Sequence, residues 1–260
     1  MTFDRAIQTK KRIVDPDAAS RPVFVLSDHH ERVQVPWHSH RRLQLIHVSA
    51  GVLTVLTRRA RFVIPPQRAV WIGPEVEHRI ASRAPFWLTN CYIEPDLIRV
   101  PDKVQAVAVD RLTDELLIAA SDLCGDCPEH GPEARLVAVL LDRLPTLKPT
   151  DVYLPEPGDP RLRRIVDRLA AAPDCNETLP ALSADAGLTE RTAARLFVKE
   201  TGLTFGRWRQ HFKLQAALEH LSAGASVTEA AFAVGYSDVS SFIAAFKQLF
   251  GKTPSQILSG

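Results

Sequence analysis

Along the C-terminal part of the chain apolar residues recur three and four positions apart, and the pattern is punctuated twice in the same way. Residues 178–199 read TLPALSADAGLTERTAARLFVK, and residues 226–247 read SVTEAAFAVGYSDVSSFIAAFK. Each stretch is a short apolar helix, a glycine, an apolar residue, a hydroxyl residue and a longer helix. Gly187 and Gly235 fall where a chain leaving one helix must bend sharply, a position that favours positive φ. Leu188 and Tyr236 are placed to plug the angle between the helices. Thr189 and Ser237 are the expected N-caps of the second helices. Between the two units, residues 206–223 carry Trp208, Phe212, Leu214, Ala217, Leu218 and Leu221 near helical period, which predicts a helix packed between them. Two such units outweigh one, because any short helical hairpin imitates a single helix-turn-helix.

The N-terminal half is patterned differently. Residues 22–30, 42–51, 52–57, 60–66, 68–72, 76–82 and 86–93 are short runs, partly β-branched or aromatic, separated by turn residues. Arg58 and Arg59 mark a hairpin, and Pro65 and Pro66 break a strand. Many short strands at close spacing predict a small barrel or jelly roll, to which residues 104–109 add one strand. Residues 110–123 and 133–147 return to helical period with wide Leu/Val/Ala faces. A dimer interface is the favoured reading of those faces, and a cover for the barrel is the alternative. Residues 149–160, PTDVYLPEPGDP, read as a stiff interdomain linker, and Pro160 sits at the start of the next helix.

The chain therefore divides into a polar N-terminus of residues 1–20 without fixed structure, a barrel domain of residues 21–148, a linker of residues 149–160 and a helical domain of residues 161–260. The fold class is α+β multidomain: a β-barrel with flanking helices, then an all-α domain with two helix-turn-helix units at about 178–199 and 226–247.

Composition refines this picture only locally. A length of 260 residues, 45% hydrophobic and 24% charged, suits two globular domains. A net charge of +2 does not announce a nucleic-acid binder. Between Glu190 and Lys213, however, six basic residues (Arg191, Arg195, Lys199, Arg207, Arg209, Lys213) face two acidic ones (Glu190, Glu200), which makes a basic stripe. No apolar run approaches the ~18 residues of a membrane span, and no signal peptide is visible. A cytoplasmic protein with no membrane partner is expected, its cysteines reduced. Cys124 and Cys127, with His130 nearby, have the spacing of a redox or metal pair. No second ligand pair follows, and a loop between two helices is the favoured reading.

The helical region resembles the DNA-binding domain of AraC-type bacterial transcription regulators. The similarity spans roughly 162–260 and runs through Gly202-Leu203-Thr204, Lys213-Leu214, Gly235-Tyr236, Phe242, Phe246-Lys247 and Phe250-Gly251-Lys252-Thr253-Pro254. It implies that the second helix of each unit enters a major groove. Arg191, Thr192 and Arg195 in the first unit, with Val239 and Ser240 in the second, are then the base-facing residues. Ala244 stands where the family often has Arg, so the second unit should grip more weakly.

The barrel region carries His38-Ser-His40, Gln44 and Gly51, then Trp71-Ile72-Gly73-Pro74-Glu75-Val76-Glu77-His78. This resembles the two motifs of the cupin fold, in which three His and a carboxylate converge on a metal. His38 and His40, two apart on one strand, would point to the same side. Gln44 stands where metal-binding cupins usually have Glu, and Glu75 where the turn usually has Gly. The resemblance to cupin-bearing AraC-type regulators implies a cupin-like effector pocket of His38, His40, Gln44, Trp71 and His78. No cofactor is expected; a divalent metal on His38, His40 and His78 is the alternative occupant. The function expected is a sequence-specific transcription regulator, not an enzyme, controlled by a small molecule in the barrel. Its partners would be a double-stranded DNA operator, an effector, RNA polymerase and a second copy of the chain. The rival reading is a metal-dependent cupin enzyme with an appended helical domain.

Overall fold

The computed structural model of the chain describes residues 15–100, 104–123, 130–150 and 153–258. Its N-terminal half is built on strands β1 (Val23–His30), β2 (Val33–His38), β3 (Leu43–Ala50), β4 (Leu53–Thr57), β5 (Ala60–Ile64), β6 (Arg68–Ile72), β7 (His78–Ser82), β8 (Phe86–Ile93) and β9 (Val104–Ala108). With β10 (Tyr153–Pro155) they form two five-stranded sheets, in the orders β1-β8-β3-β6-β9 and β10-β5-β4-β7-β2. Every pairing in them is antiparallel.

Period-two alternation sorts the side chains of these strands. Ile46, Val48, Leu53, Val55, Phe62, Ile64, Val70, Ile72, Phe86 and Leu88 share one buried cluster between the sheets. The opposite face of the first sheet carries Leu43, Leu45, Trp71, Cys91 and Ile93. Helices α1 (Arg111–Ser121) and α2 (Pro132–Arg143) cover that face, contributing Leu117, Ala120 and Leu140 to its core. The barrel-like sandwich thus has one filled interior and one helix-covered exterior.

The second sheet departs from expectation at both of its edges. Of the strand β2 only the His38 end was anticipated, because Pro36 interrupts its pattern; an edge strand tolerates a proline that a central strand would not. Its register shifts between Val35 and His38. At the other edge the supposed linker carries β10, paired to β5 from Tyr153 opposite Phe62 to Pro155 opposite Ala60. Residues 15–20, assigned to a structureless N-terminus, are also tied down. The Asp17 carboxylate accepts from the Arg41 backbone N–H at 3.0 Å. Buried Arg42 donates to Ala19 O and Pro22 O and pairs with Glu94 at 2.8 Å. The loop assigned to Cys124 and Cys127 lies outside the described residues, as do residues 1–14.

The C-terminal half comprises α3 (Pro160–Ala171), α4 (Leu179–Asp185), α5 (Glu190–Thr201), α6 (Phe205–Ser222), α7 (Val227–Ala233), α8 (Val239–Phe250) and α9 (Pro254–Leu258). Local sequence sets their ends. Thr189 caps α5 and Thr204 caps α6, while Ser226 and Glu229 form a reciprocal capping box on α7. At α8 the cap is Asp238, whose carboxylate accepts from Ser241 N at 2.7 Å, rather than Ser237. A carboxylate at a helix N-terminus also meets the positive end of the dipole, an advantage Ser lacks.

The helix α6 is the spine of this half. Its first part, Phe205, Trp208 and Phe212, packs with Leu162, Ile165, Leu182, Ala193 and Phe197 around the first helical pair. Its second part, Leu214, Ala217, Leu218 and Leu221, packs with Ala230, Val234, Phe242 and Phe246 around the second. A helix serving both units must be apolar on several faces, and its sequence FGRWRQHFKLQAALEHLS is.

Candidate functional site

The first helix-turn-helix is α4 and α5, the second α7 and α8. In both, the turn glycine takes positive φ, 73° at Gly187 and 76° at Gly235. Gly235 is constrained further, since a Cβ there would lie 2.9 Å from Asp174 O and 2.9 Å from Lys213 Nζ. Lys213 itself donates to Asn176 at 3.1 Å, and Arg209 donates to Glu177 O at 2.7 Å. These bonds hold the loop before the first unit against the turn of the second. Leu188 packs into the first core, and Tyr236 meets Phe242 edge-on at 5.4 Å in the second, as the plugs they were expected to be.

On α5, Arg191 and Arg195 are exposed one turn apart, while Ala193 and Phe197 on the opposite face are buried. Two long cations on one face of a second helix can donate paired bonds to guanine O6 and N7 or single bonds to phosphates. Thr192 is half-buried, and its hydroxyl oxygen accepts from Thr189 Oγ1 at 2.9 Å as part of the cap. On α8, Ser240 is exposed, whereas Val239 turns toward the core and packs beside Phe242. Sequence reasoning passed over Ser241, Lys247 and Gln248, which are exposed with Ser240 and Ala244. Ala244 and Lys247, four and seven residues on from Ser240, share its face of the helix, and Ser241 and Gln248 form the exposed row beside it.

The second candidate cluster lies at one end of the sandwich interior. His38 ends β2, opposite His78 at the start of β7. His40 is not on a strand with His38; it sits in the turn before β3, because the Pro36 irregularity ends β2 at His38. The turn before β7 is nonetheless bonded to it, with Glu75 N donating to His40 O at 2.9 Å. The three rings converge, His38 to His78 at 4.2 Å, His40 to His78 at 5.3 Å and His38 to His40 at 6.2 Å between centroids. Gln44 joins them, its Oε1 3.0 Å from His40 Nε2 and its Nε2 donating to Asn90 Oδ1 at 2.9 Å and Tyr92 Oη at 3.1 Å. Asn90 and Tyr92 went unnoticed in the sequence, although alternation from Phe86 and Leu88 puts them on the same inward face.

The ring hydrogen bonds set the chemistry of this cluster. Each Nδ1 lies beside a backbone carbonyl: His38 with Pro36 O at 2.9 Å, His40 with Arg42 O at 2.8 Å and His78 with Val76 O at 2.9 Å. A carbonyl only accepts, so at His78 the Nδ1 carries the proton and the neutral ring keeps its lone pair on Nε2. The Nε2 of His78 is buried and has no partner among the described residues. Burial lowers the His78 imidazole to about 4, with the His38 and His40 rings adding to the effect, so this ring is neutral at physiological pH. Burial also pushes the Tyr92 phenol up to about 12. His78 thus presents a buried, uncharged acceptor beside an amide and a phenol.

Trp71 does not join it. Its side chain faces α1 and α2 in the outer core, since alternation sends Ile72, not Trp71, toward the interior. Nor do the residues fit a metal as they stand. The Nε2 of His40 is engaged by the Gln44 amide, Gln44 offers no anionic oxygen, and among the described residues no group of three or more His, Cys, Asp or Glu is arranged to hold an ion.

Comparison with known proteins gives the following matches. Residues 22–102 match a family described as an AraC-like ligand binding domain, and residues 182–260 match a family described as a helix-turn-helix domain. The chain is 34% identical over 224 residues to the HTH-type transcriptional regulator NimR of Escherichia coli, covering 86% of this chain and 82% of that protein. It is 29% identical over 125 residues to the HTH-type transcriptional regulator RipA of Corynebacterium glutamicum, covering 48% of this chain and 36% of that one. Among solved structures, unsaturated fatty acid bound ToxT from Vibrio cholerae aligns over 91% of this chain and 94% of its own, at a TM-score of 0.40 and 9% identity. Among the described residues no helix is long and apolar enough to cross a membrane.

Proposed function

Because the chain belongs to the AraC-type family of helix-turn-helix transcription regulators, we propose that it reads its operator chiefly through Arg191 and Arg195 and senses an uncharged organic effector at His38, His40, Gln44 and His78. It is a DNA-binding regulator with an N-terminal ligand-binding domain, and not an enzyme. The observation that carries the finer reading is the pairing of two features: exposed arginines one turn apart on α5, and a buried cluster whose His78 Nε2 lacks a hydrogen-bond donor. A hydroxyl or N–H group on the effector satisfies that lone pair, whereas leaving it bare costs about 1–3 kcal/mol. Thr192, Ser240 and Ser241 supply shorter contacts, and Val239 supports α8 from behind.

The regulator works in the cytoplasm as a homodimer and meets RNA polymerase at the promoters it occupies. Exposed Leu112 and Ile118 on α1 and Val139 on α2 support the dimer, as an apolar surface beside the ligand-binding domain. Sedimentation of the full chain at micromolar concentration should give a dimer, and Leu112→Glu with Ile118→Glu should give a monomer. A wild-type monomer would remove that part of the reading.

Genome-wide DNA occupancy in the host is the direct test. The wild type should mark a few promoters, and Arg191→Ala with Arg195→Ala should lose them. Occupancy that ignores both arginines would refute the assignment of the reading helix. Elemental analysis of protein purified without added metal tests the other half of the proposal, where stoichiometric zinc, iron or manganese would overturn the organic occupant.

A further inference from the structure

A cleft of about 890 Å3 lies between the two domains. One wall is formed by β2, β4, β5 and β7 of the second sheet, and the other by the end of α3, the second half of α6 and Ala233 of α7. It is a different place from the histidine cluster, which lies on the inner side of the same strands.

The charges along this cleft do not balance. Arg61, Arg79 and Arg83 line it, and Glu219 is the acidic side chain that faces them. Glu219 is already occupied: one of its oxygens accepts from the Thr54 hydroxyl at 2.5 Å and from Arg61 Nη2 at 2.6 Å. The Nε of Arg61 and the Nε of Arg79 are both buried, and neither has a hydrogen-bond partner among the described residues. The Arg79 guanidinium instead lies 5.3 Å from the Trp37 ring centroid. Glu156 acts on both arginines from nearby, but burial pushes its carboxyl up to about 7, so it is an incomplete counterion at neutral pH.

A guanidinium is planar, stays charged and offers paired N–H donors that match an oxyanion. An apolar guest would leave these donors bare, and a cation would be repelled. We propose that the interdomain cleft is a second ligand site, which takes a small oxyanion, a carboxylate or a phosphate, on the guanidinium groups of Arg79 and Arg83 that line it. Phe212 and Ala171 give an organic carboxylate an apolar wall for its body. An anion bound there touches the strands on one side and α6 on the other, so it favours the docked arrangement of the two domains.

Calorimetric titration of the full chain in chloride buffer, once with benzoate and once with inorganic phosphate, tests the site. Saturable one-to-one binding of either probe below about 20 mM is expected. Binding of benzoate alone identifies an organic carboxylate site, and binding of phosphate alone a phosphate site. Arg79→Gln should weaken the bound probe by about tenfold or more. Ala171→Glu, an exposed position on the far wall, should weaken it too without disturbing the sheet. Arg111→Gln, a solvent-exposed arginine on α1, controls for general charge and should change nothing. Heats that saturate with neither probe, or an affinity that Arg79→Gln and Ala171→Glu leave unchanged, overturn the proposal.

Discussion

At the scale of single residues, one of the two non-glycine positive-φ positions among the described residues lies beside the histidine cluster. Glu75 holds φ at 60°, in the left-handed region where an L side chain is disfavoured, while its N–H donates to His40 O at 2.9 Å. The turn that brings His78 beside His40 depends on this conformation. Relief of this strain should exceed the added freedom of the unfolded chain, so Glu75→Gly should stabilise the chain by about 1 kcal/mol against chemical denaturation. Gly51 poses the opposite case. At φ 80° an added Cβ would lie 2.5 Å from Pro85 O and 2.7 Å from Phe86 Cβ. Gly187 shares the positive φ but has nothing within 4 Å. Gly187→Ala should cost about 1 kcal/mol from the backbone alone, and Gly51→Ala about 3 kcal/mol or more. Equal losses in the two variants would show that the clash at Gly51 relaxes away. The positive-φ need at position 75 was legible as a motif departure, a Glu where the turn usually has Gly. The bare Nε2 of His78 was not, because it follows from which carbonyl each ring meets in three dimensions.

At the scale of elements, alternation and helical period predicted most of the architecture, and the errors have local causes. The strands β3 to β8 were legible as β-branched runs. The strand β2 before His38 was hidden by Pro36. The strand β10 was hidden by the four prolines of residues 149–160, since a three-residue strand that ends on a proline looks like linker until an edge partner is known. Trp71 was misplaced by counting it with the pocket motif rather than with the period of its own strand. The two second helices differ as their sequences suggest. Exposed Arg191 and Arg195 on α5 face Ser240, Ser241, Ala244 and Gln248 as their counterparts on α8. A bidentate arginine contact gives about 1–3 kcal/mol of discrimination between bases, and a serine contact should give less. Specificity should concentrate in the half of the operator under α5, with the half about one helical turn (~10 bp) away relying more on phosphate contacts and DNA shape. In binding measured on a library of operator mutants at fixed salt, Arg195→Ala should relax preference at one or two base pairs. Val239→Ala should leave that preference intact and cost about 1 kcal/mol of folding stability, because Val239 packs against the core. A uniform loss across all operators would make Arg195 a phosphate contact.

At the scale of the whole molecule, the segment between the domains is a joint with bonds to both sides. Its strand β10 extends the second sheet, its Leu154 is buried among the helices, and its Pro155 O accepts from Trp208 Nε1 at 2.7 Å. Beside it, Arg163 donates to Arg58 O at 2.8 Å. Strand β5 connects the two domains by alternation: Phe62 and Ile64 face the sandwich interior, while Arg61 faces α6. Glu156 sits in this joint, its N–H donating to Arg59 O at 2.7 Å. Burial raises its carboxyl to about 7 although Arg61 and Arg163 pull the other way. The folded value exceeds the unfolded one, so the native chain holds this proton more tightly. The associated stability is fully present below the unfolded value of about 4.5 and is lost as pH rises through about 7. Between those limits the loss amounts to at most about 3 kcal/mol, and solvent access to the half-buried group reduces it. His78 titrates with the opposite sign, since its lowered pKa removes stability as pH falls from about 6.5 to about 4. Comparing the wild type with Glu156→Gln at each pH cancels the His78 contribution. The variant should be of similar stability near pH 5 and more stable than the wild type near pH 8, in thermal or denaturant unfolding at constant ionic strength. A difference that does not change with pH would mean that Glu156 is not protonated preferentially in the folded chain and that the joint is open to water.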